Sequence, residues 1–352
     1  MNVVILTSNF RSNSLGRAYC LWLLCRSLGW DVSVLSPQGD ALWAPLAGTA
    51  FAQDCDVAGD RSFGSMLETV RPADLVIAAK PLPESFGVAL ELSRVTRRPL
   101  LLDIDDPDIE HQLSWGDPVR RAARAIWRRE RVAELKQLRS AALRTPTIAS
   151  NPTLAGRWRS TVVPHVREDP GLRAGQREDA PTIAFVGTDK PHKGLDVLRA
   201  AVARTQDHGF RLVVTDVPPP DPKPWEQWIG TTTFDRGLDV AGTADIVALP
   251  SRPTVYSRAQ LPVKLVDGMM LGRTVVVSDL PATRWAVGDA GVLVRPGSVG
   301  ALARALVSVR ERPVRTRLGE RARELALSRF ALERVRDTFA VACRDAMGSG
   351  PS

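Results

Sequence analysis

Short runs of consecutive aliphatic and β-branched residues recur along the whole chain, and helix-length segments separate most of them. Such runs are typical of strands that are buried on both faces of a sheet. They occupy residues 3–7, 32–36, 74–79, 99–104 and 147–150 in the first half, and residues 183–186, 211–214, 246–249, 274–278 and 291–294 in the second. Repeated strand–helix–strand units of this kind predict doubly wound parallel sheets of the Rossmann-like α/β class.

A charged segment without a hydrophobic period, residues 167–180, separates the two sets of strands. We interpret it as a linker between an N-terminal domain, residues 1–166, and a C-terminal domain, residues 181–330. Residues 331–352 are expected to form a terminal helix that packs back toward the N-terminal domain, followed by a disordered tail. Two such domains facing one another across a deep cleft would provide the usual place for a ligand.

The composition narrows the setting in which the chain is expected to work. Its 352 residues are 44% hydrophobic and 24% charged, which is normal for a globular protein. No apolar run approaches the roughly 20 residues of a membrane span, and the N-terminus is typical of a strand rather than a signal peptide. Four cysteines without paired spacing favour a reducing cytoplasm and no structural metal.

The formal net charge of +8 permits nucleic acid, anionic lipid or a phosphorylated ligand as a partner. Nucleic-acid binding is disfavoured, because no zinc-finger spacing or RNA-binding strand is present and two tyrosines are too few for a base-stacking platform.

Three of the six lysines lie in two loops of the second half. Lys190 and Lys193 follow the strand at residues 183–186, and Lys264 follows the strand at residues 246–249. Each of these loops leads into a predicted helix, so strand ends, backbone amides and ammonium groups would converge. α/β proteins hold phosphorylated ligands in this way. The alternative is that three surface lysines fall there by chance.

The order of these motifs resembles the GT-B-type glycosyltransferases, and most of all their large retaining family 4 branch. The motifs are V-G-x(5)-K-G, A-D-I-V-A-L-P-S and L-P-V-K-L-V-D-G-M-M, in residues 186–194, 244–251 and 261–270. The resemblance implies transfer of a sugar from a nucleotide-diphosphate sugar to a hydroxyl group of a glycan, a lipid-linked sugar or a small molecule. It implies no metal and no cofactor beyond the nucleotide sugar itself.

The resemblance also assigns roles in donor binding. Lys193 and a neighbouring cation would hold the donor diphosphate, and both would stabilise charge during catalysis. The usual arginine after the strand glycine is absent, since Thr188 and Asp189 stand there, and Lys190 is our substitute for it. The complete predicted donor-binding set is Gly16, Gly187, Lys190, Lys193, Pro262, Val263, Lys264 and Asp267.

Two acidic positions of the resembled family are treated differently in this chain. Asp267 matches the acid that binds the ribose hydroxyls, although the commoner residue is Glu. The other acid would fall at Ala259 and is missing. Either the backbone of residues 255–260 contacts the sugar, or the site is specialised, or it is catalytically weak.

In the first half, the strand at residues 99–104 contains Asp103 and runs into a loop with Asp105, Asp106 and the nearby His111. Asp103 points inward in the strand pattern and is a candidate structural residue. The other three are our acceptor-binding candidates, and Asp105 and His111 are also catalytic candidates, because the loop leaves the carboxyl edge of the sheet. The alternatives are a metal site and a solvated loop.

Residues 12–17 begin the first predicted helix, so the amide of Gly16 could approach the donor phosphates. The alternative is an ordinary helix cap formed by Ser14.

A basic helix is predicted over residues 117–143, with Arg120, Arg124, Arg128 and Arg131 along one stripe. It predicts either peripheral contact with anionic lipid on the inner face of the membrane, or a solvated basic face.

Two other functions stay open at this point. One is a nucleotide-sugar epimerase of the same shape, which would need acid and base groups that the missing carboxylate makes harder to supply. The other is a non-catalytic nucleotide-sugar-binding partner of another transferase.

Overall fold

The computed structural model describes residues 1–114, 128–171 and 181–348. The chain divides into two compact units, the N-terminal unit of Met1–Val166 with Leu332–Ser352 and the C-terminal unit of Arg167–Ala331. Each unit is built on a six-stranded sheet whose neighbouring strands are parallel. The prediction of two Rossmann-like α/β domains is confirmed.

The sheet of the N-terminal unit has the strand order β2-β1-β3-β4-β5-β6. Its strands are β1 Asn2–Leu6, β2 Asp31–Leu35, β3 Leu75–Ala79, β4 Leu100–Ile104, β5 Thr147–Ala149 and β6 Thr161–Val162. The helices of this part of the chain are α1 Leu15–Ser27, α2 Phe63–Val70, α3 Val88–Thr96, α4 Asp108–Ser114, α5 Arg129–Ala142 and α6 Pro152–Trp158. Every residue of β3 and β4 is buried, as expected of central strands covered on both faces.

The sheet of the C-terminal unit has the order β12-β11-β10-β7-β8-β9. Its strands are β7 Thr182–Phe185, β8 Arg211–Val214, β9 Glu226–Trp228, β10 Ile246–Leu249, β11 Thr274–Ser278 and β12 Val292–Val294. Its helices are α7 Leu195–Ala203, α8 Phe234–Thr243, α9 Val255–Ala259, α10 Val263–Met270, α11 Pro281–Val287, α12 Val299–Ser308 and α13 Arg312–Phe330.

The last helix, α14 Leu332–Gly348, follows α13 directly and belongs to the N-terminal unit. It packs against α1 and β4, and it buries Val335, Phe339 and Cys343. The Phe339 ring lies 6.0 Å from the ring of Trp30, which follows α1. Over the described ranges, no helix has the length and apolar character that crossing a membrane requires.

Candidate functional site

The K-G loop, residues 186–194, leaves β7 at the carboxyl edge of the sheet and leads into α7. Gly187 has a φ of 128°, and its N–H donates to Thr215 Oγ1 over 2.7 Å. Gly194 has a φ of 70°, and a Cβ at this position would lie 2.2 Å from the carbonyl oxygen of Pro250. The loop therefore depends on two glycines to lie close against its neighbours.

Lys193 ends a single turn of 3₁₀ helix, Pro191–Lys193, and its side chain turns back over the loop. Its Nζ donates to the carbonyl oxygen of Thr188 over 2.7 Å. A Cβ at Gly187 would lie 3.3 Å from the same ammonium group. The strand end and the ammonium group thus come together, as an anion site requires.

The surroundings of Lys193 lower the pKa of its ammonium group. Burial, followed by the positive charge of Lys190, lowers the pKa of Lys193 to about 8; Lys264 lowers it further, and Asp216 and Asp189 oppose the shift. Lys190 itself is exposed. A bound anion would favour the charged form of Lys193, so this arrangement is prepared for negative charge.

A second group of charges lies at the start of α10, which Pro262 precedes. Lys264 Nζ lies 3.1 Å from Asp267 Oδ2, and Arg167 Nε donates to Asp267 Oδ1 over 2.6 Å. The Asp267 residue is 1% exposed. Burial is the largest influence and would raise the pKa of Asp267, but the charges of Arg167 and Lys264 outweigh it and lower that pKa.

Phe234, the first residue of α8, covers this ion pair. The centre of its ring lies 5.2 Å from Arg167 Cζ and 5.7 Å from Lys264 Nζ, at cation–π distance from both. A Cβ at Gly237, one helical turn further on, would lie 4.0 Å from the same ammonium group. The Lys264 ammonium group therefore lies between a carboxylate and an aromatic ring.

Arg167 is the first residue of the predicted linker over residues 167–180, and its side chain is buried. Its N–H donates to the carbonyl oxygen of Phe330, and it forms a parallel bridge with Ala331. The remainder of the predicted linker, residues 172–180, lies outside the described residues.

Ala259, which stands in place of the missing acid, is buried at the end of α9. The ring of Tyr256 in the same helix lies 5.3 Å from the ring of His192, so α9 contacts the K-G loop. The segment predicted to contact the sugar is thus adjacent to Lys193, and the three alternatives for this segment stay predictions.

In the N-terminal unit, Asp103 in β4 forms a buried ion pair with Arg17 of α1. The guanidinium donates to both carboxylate oxygens, over 2.6 Å from Nη2 to Oδ1 and 3.0 Å from Nε to Oδ2. It also donates to the carbonyl oxygens of Val163 and Pro164. These contacts fit the structural role that the strand pattern predicted for Asp103.

Lys80 follows β3 with a φ of 78°, and its ammonium group lies among three carboxylates. It is 2.8 Å from Asp105 Oδ1, 2.6 Å from Asp106 Oδ2 and 3.2 Å from Asp108 Oδ2. One oxygen of each carboxylate lies within 4.8 Å of the others, a spacing that could also hold a metal ion. The alternative of a solvated loop is wrong, because Asp105 is 4% and Asp106 is 7% exposed.

Asp108 begins α4, and burial raises its pKa to about 7; Lys80 opposes the rise, while Asp106 and Asp105 reinforce it. His111 lies one turn along the same helix and is half-buried. Lys80 and Asp108 were not among the residues predicted from the sequence. The available signal was a lysine directly after a fully buried strand.

Gly16 lies in the first turn of α1, where predicted, and Ser14 occupies the N-cap position. The predicted cap is wrong in its bonding, because the Ser14 side chain does not cap the helix and instead accepts a hydrogen bond from Ser8 Oγ.

Only part of the predicted basic helix lies within the described residues. Its second half is α5, where Arg131 pairs with Glu84 and Glu134, and Leu135 and Leu138 are buried. Residues 115–127, with Arg120 and Arg124, lie outside the described ranges, so lipid contact stays a prediction.

Comparisons with known proteins bear on the fold of the chain and on the C-terminal unit. Residues 180–312 match a family model described as "Glycosyl transferases group 1". HepE from Anabaena, solved with UDP-glucose, aligns with 98% of this chain and 100% of its own, at 15% identity and a TM-score of 0.75. Sucrose-phosphate synthase from Thermosynechococcus elongatus aligns with 99% and 100%, at 15% identity and a TM-score of 0.74.

WaaG, a glycosyltransferase involved in lipopolysaccharide biosynthesis, aligns with 97% of this chain and 98% of its own, at 14% identity and a TM-score of 0.63. A comparison with curated protein sequences found no match. At these identities the structural matches show the fold, which is that of the two-domain GT-B glycosyltransferases. The family model covers residues 180–312, so the likeness to the group 1 glycosyltransferases belongs to the C-terminal unit.

Proposed function

We propose that the chain is a retaining, metal-independent glycosyltransferase of the family 4 type, which moves a sugar from a nucleotide-diphosphate sugar to a hydroxyl-bearing acceptor. The observation that carries this proposal is the group of ammonium ions at the K-G loop. Lys190 and Lys193 lie in this loop, and Lys193 Nζ donates to the carbonyl oxygen of Thr188. A Cβ at Gly237 would lie 3.6 Å from the Val186 side chain, which begins the loop, and 4.0 Å from Lys264 Nζ, so the third ammonium group is also near the carboxyl end of β7. The HepE structure with UDP-glucose supports a nucleotide sugar as the ligand.

These cations suit the leaving group of the reaction. As the bond between the anomeric carbon and the phosphate oxygen breaks, negative charge grows on the nucleoside diphosphate. Lys193, Lys190 and the backbone N–H groups in the first turn of α10, which begins at Val263, would stabilise this charge more strongly in the transition state than in the bound donor. Ammonium groups then supply the neutralisation that a metal ion supplies in other transferases.

Retention would follow from attack on the face that the leaving group departs from. The acceptor oxygen bonds to the anomeric carbon, the carbon–oxygen bond to the diphosphate breaks, and the acceptor proton passes to the departing phosphate oxygen. In this scheme no protein side chain has to act as the base.

We assign acceptor binding to the N-terminal unit. Asp105, Asp106 and His111 are the proposed acceptor residues, with Asp105 and His111 also as catalytic candidates. Lys80 and Asp108 would fix the two carboxylates in place. A glycan, a lipid-linked sugar or a small molecule all offer hydroxyl groups of the required kind, and a cytoplasmic location with peripheral membrane contact belongs to the same proposal.

The test is an assay of nucleoside diphosphate release and sugar transfer with UDP-, GDP- and dTDP-sugars and a panel of hydroxyl acceptors. NMR of the product reports the anomeric configuration. We expect transfer with retention, loss of turnover in Lys193→Met, and normal turnover in Lys223→Met, which changes an exposed lysine of the same unit. Inverted product would overturn the retaining mechanism alone. Donor binding without turnover would favour the non-catalytic partner, a reading that the buried Ala259 supports.

A further inference from the structure

We infer that Arg167 and Asp267 act together as a positioning pair that controls the charge which Lys264 presents to the donor diphosphate. This inference rests on the proposed donor site and deepens it. It gives Asp267 a role different from direct recognition of the ribose, and it assigns a function to Arg167, which the sequence motifs do not contain.

Asp267 is a buried carboxylate between two cations. Its carboxylate is enclosed by protein, with one oxygen 2.6 Å from Arg167 Nε and the other 3.1 Å from Lys264 Nζ. Both oxygens thus already face a cation, and the residue presents 1% of its surface to solvent. This is the environment of an internal counterion.

Arg167 determines the net charge of the group formed by Arg167, Lys264 and Asp267, which we call the trio. Arg167, Lys264 and Asp267 together carry one net positive charge, and the ring of Phe234 lies at cation–π distance from both cations. Without Arg167, Asp267 and Lys264 would form a neutral ion pair. The carboxylate would then compete with the donor diphosphate for the ammonium group of Lys264. Arg167 therefore leaves Lys264 able to interact with an anion.

Backbone contacts hold Arg167 in place. The backbone of Arg167 is fixed by its N–H, which donates to the carbonyl oxygen of Phe330 over 3.0 Å, and by its bridge to Ala331. A guanidinium held in this way can orient a carboxylate through a directed hydrogen bond, whereas a flexible lysine could not do so equally well.

The test uses Arg167→Met, Asp267→Asn and the double variant, with UDP and metal-free pyrophosphate as separate probes in calorimetric titrations. Arg167→Met removes one positive charge, so Asp267 then neutralises Lys264. We expect the binding of both probes to weaken about tenfold, because the charge-assisted contact of Lys264 with the probe is lost. The double variant restores the net charge of the trio to plus one, so we expect it to bind both probes better than Arg167→Met alone. Arg167→Lys serves as the charge-preserving control, and thermal unfolding confirms that each variant is folded.

Two results would overturn the inference while leaving the donor site intact. One is a double variant that binds no better than Arg167→Met. The other is an Asp267→Asn variant that weakens UDP and leaves pyrophosphate unchanged, since pyrophosphate has no ribose. A wild-type protein that bound neither probe would instead overturn the proposed function itself, together with the inference built on it.

Discussion

The lowered pKa of Lys193 predicts a pH dependence of donor binding that can be worked out from the structure. With a pKa of about 8 in the free protein, the ammonium form makes up roughly nine-tenths of the molecules at pH 7 and roughly one-tenth at pH 9. If the diphosphate binds the ammonium form, the affinity for UDP should fall about tenfold between these two values. Binding would raise the pKa of Lys193, so protons should be taken up on binding at pH 8.

Isothermal titration calorimetry with UDP at pH 7, 8 and 9, in buffers of different ionisation enthalpy, measures both effects. Lys193→Arg is the control, because a guanidinium stays charged over this range and any titration of UDP itself is common to both proteins. A wild-type affinity that changed no more than that of Lys193→Arg would refute the assignment of Lys193 to the diphosphate.

The lowered pKa of Lys193 also predicts that replacing this lysine by an uncharged residue stabilises the folded protein. Because the pKa of Lys193 is lower in the folded than in the unfolded protein, its charge opposes folding below about pH 8, and this cost is relieved as pH rises toward 10.5. Lys193→Met keeps the aliphatic stem and should raise the free energy of unfolding at pH 7 by about 1–2 kcal/mol after solvent screening. A lower melting temperature for this variant would contradict the reasoning.

Three further predictions concern the framework of the site. Gly194→Ala places a side chain on a left-handed backbone, with its Cβ 2.2 Å from the carbonyl oxygen of Pro250, and should lower the free energy of unfolding in urea by about 1–3 kcal/mol. Gly156→Ala is the control, because the space around that glycine is open, and it should not lower the stability. Arg17→Met leaves Asp103 buried without its partner and should cost about 3–5 kcal/mol; a change below 1 kcal/mol would contradict it. Asp108 has a raised pKa, so it favours the folded state at low pH and this contribution is lost as pH rises through about 7; Asp108→Asn should therefore gain stability relative to the wild type between pH 4 and 8.

Most of the fold could be predicted from the sequence, because each central strand is a run of aliphatic and β-branched residues that is recognisable without its neighbours. Each of the ten predicted strands is present within one residue of its predicted bounds. The two strands that the sequence did not reveal are β6 Thr161–Val162 and β9 Glu226–Trp228. They are edge strands of two and three residues with polar members, and only pairing with a neighbouring strand makes them strands at all.

The candidate site was predicted where its residues are close in the chain and missed where they are distant. Lys190 and Lys193 come from one loop, which a local motif reveals. Lys80 meets Asp106 across 26 residues because β3 and β4 pair in a fixed register. Arg167 meets Asp267 across 100 residues, and no local pattern distinguishes this arginine from the other arginines of the chain.

The placement of α14 has a consequence for how the protein can be made. The N-terminal unit combines residues 1–166 with the helix at residues 332–348, so α1 stays without this packing partner until the whole C-terminal unit and the helix after it have been synthesised. Synthesis therefore completes the later unit first. A shortened gene product that stopped at Ala331 would leave Trp30 without the Phe339 ring, and joining residues 332–348 directly to residue 166 is the natural way to isolate the N-terminal unit.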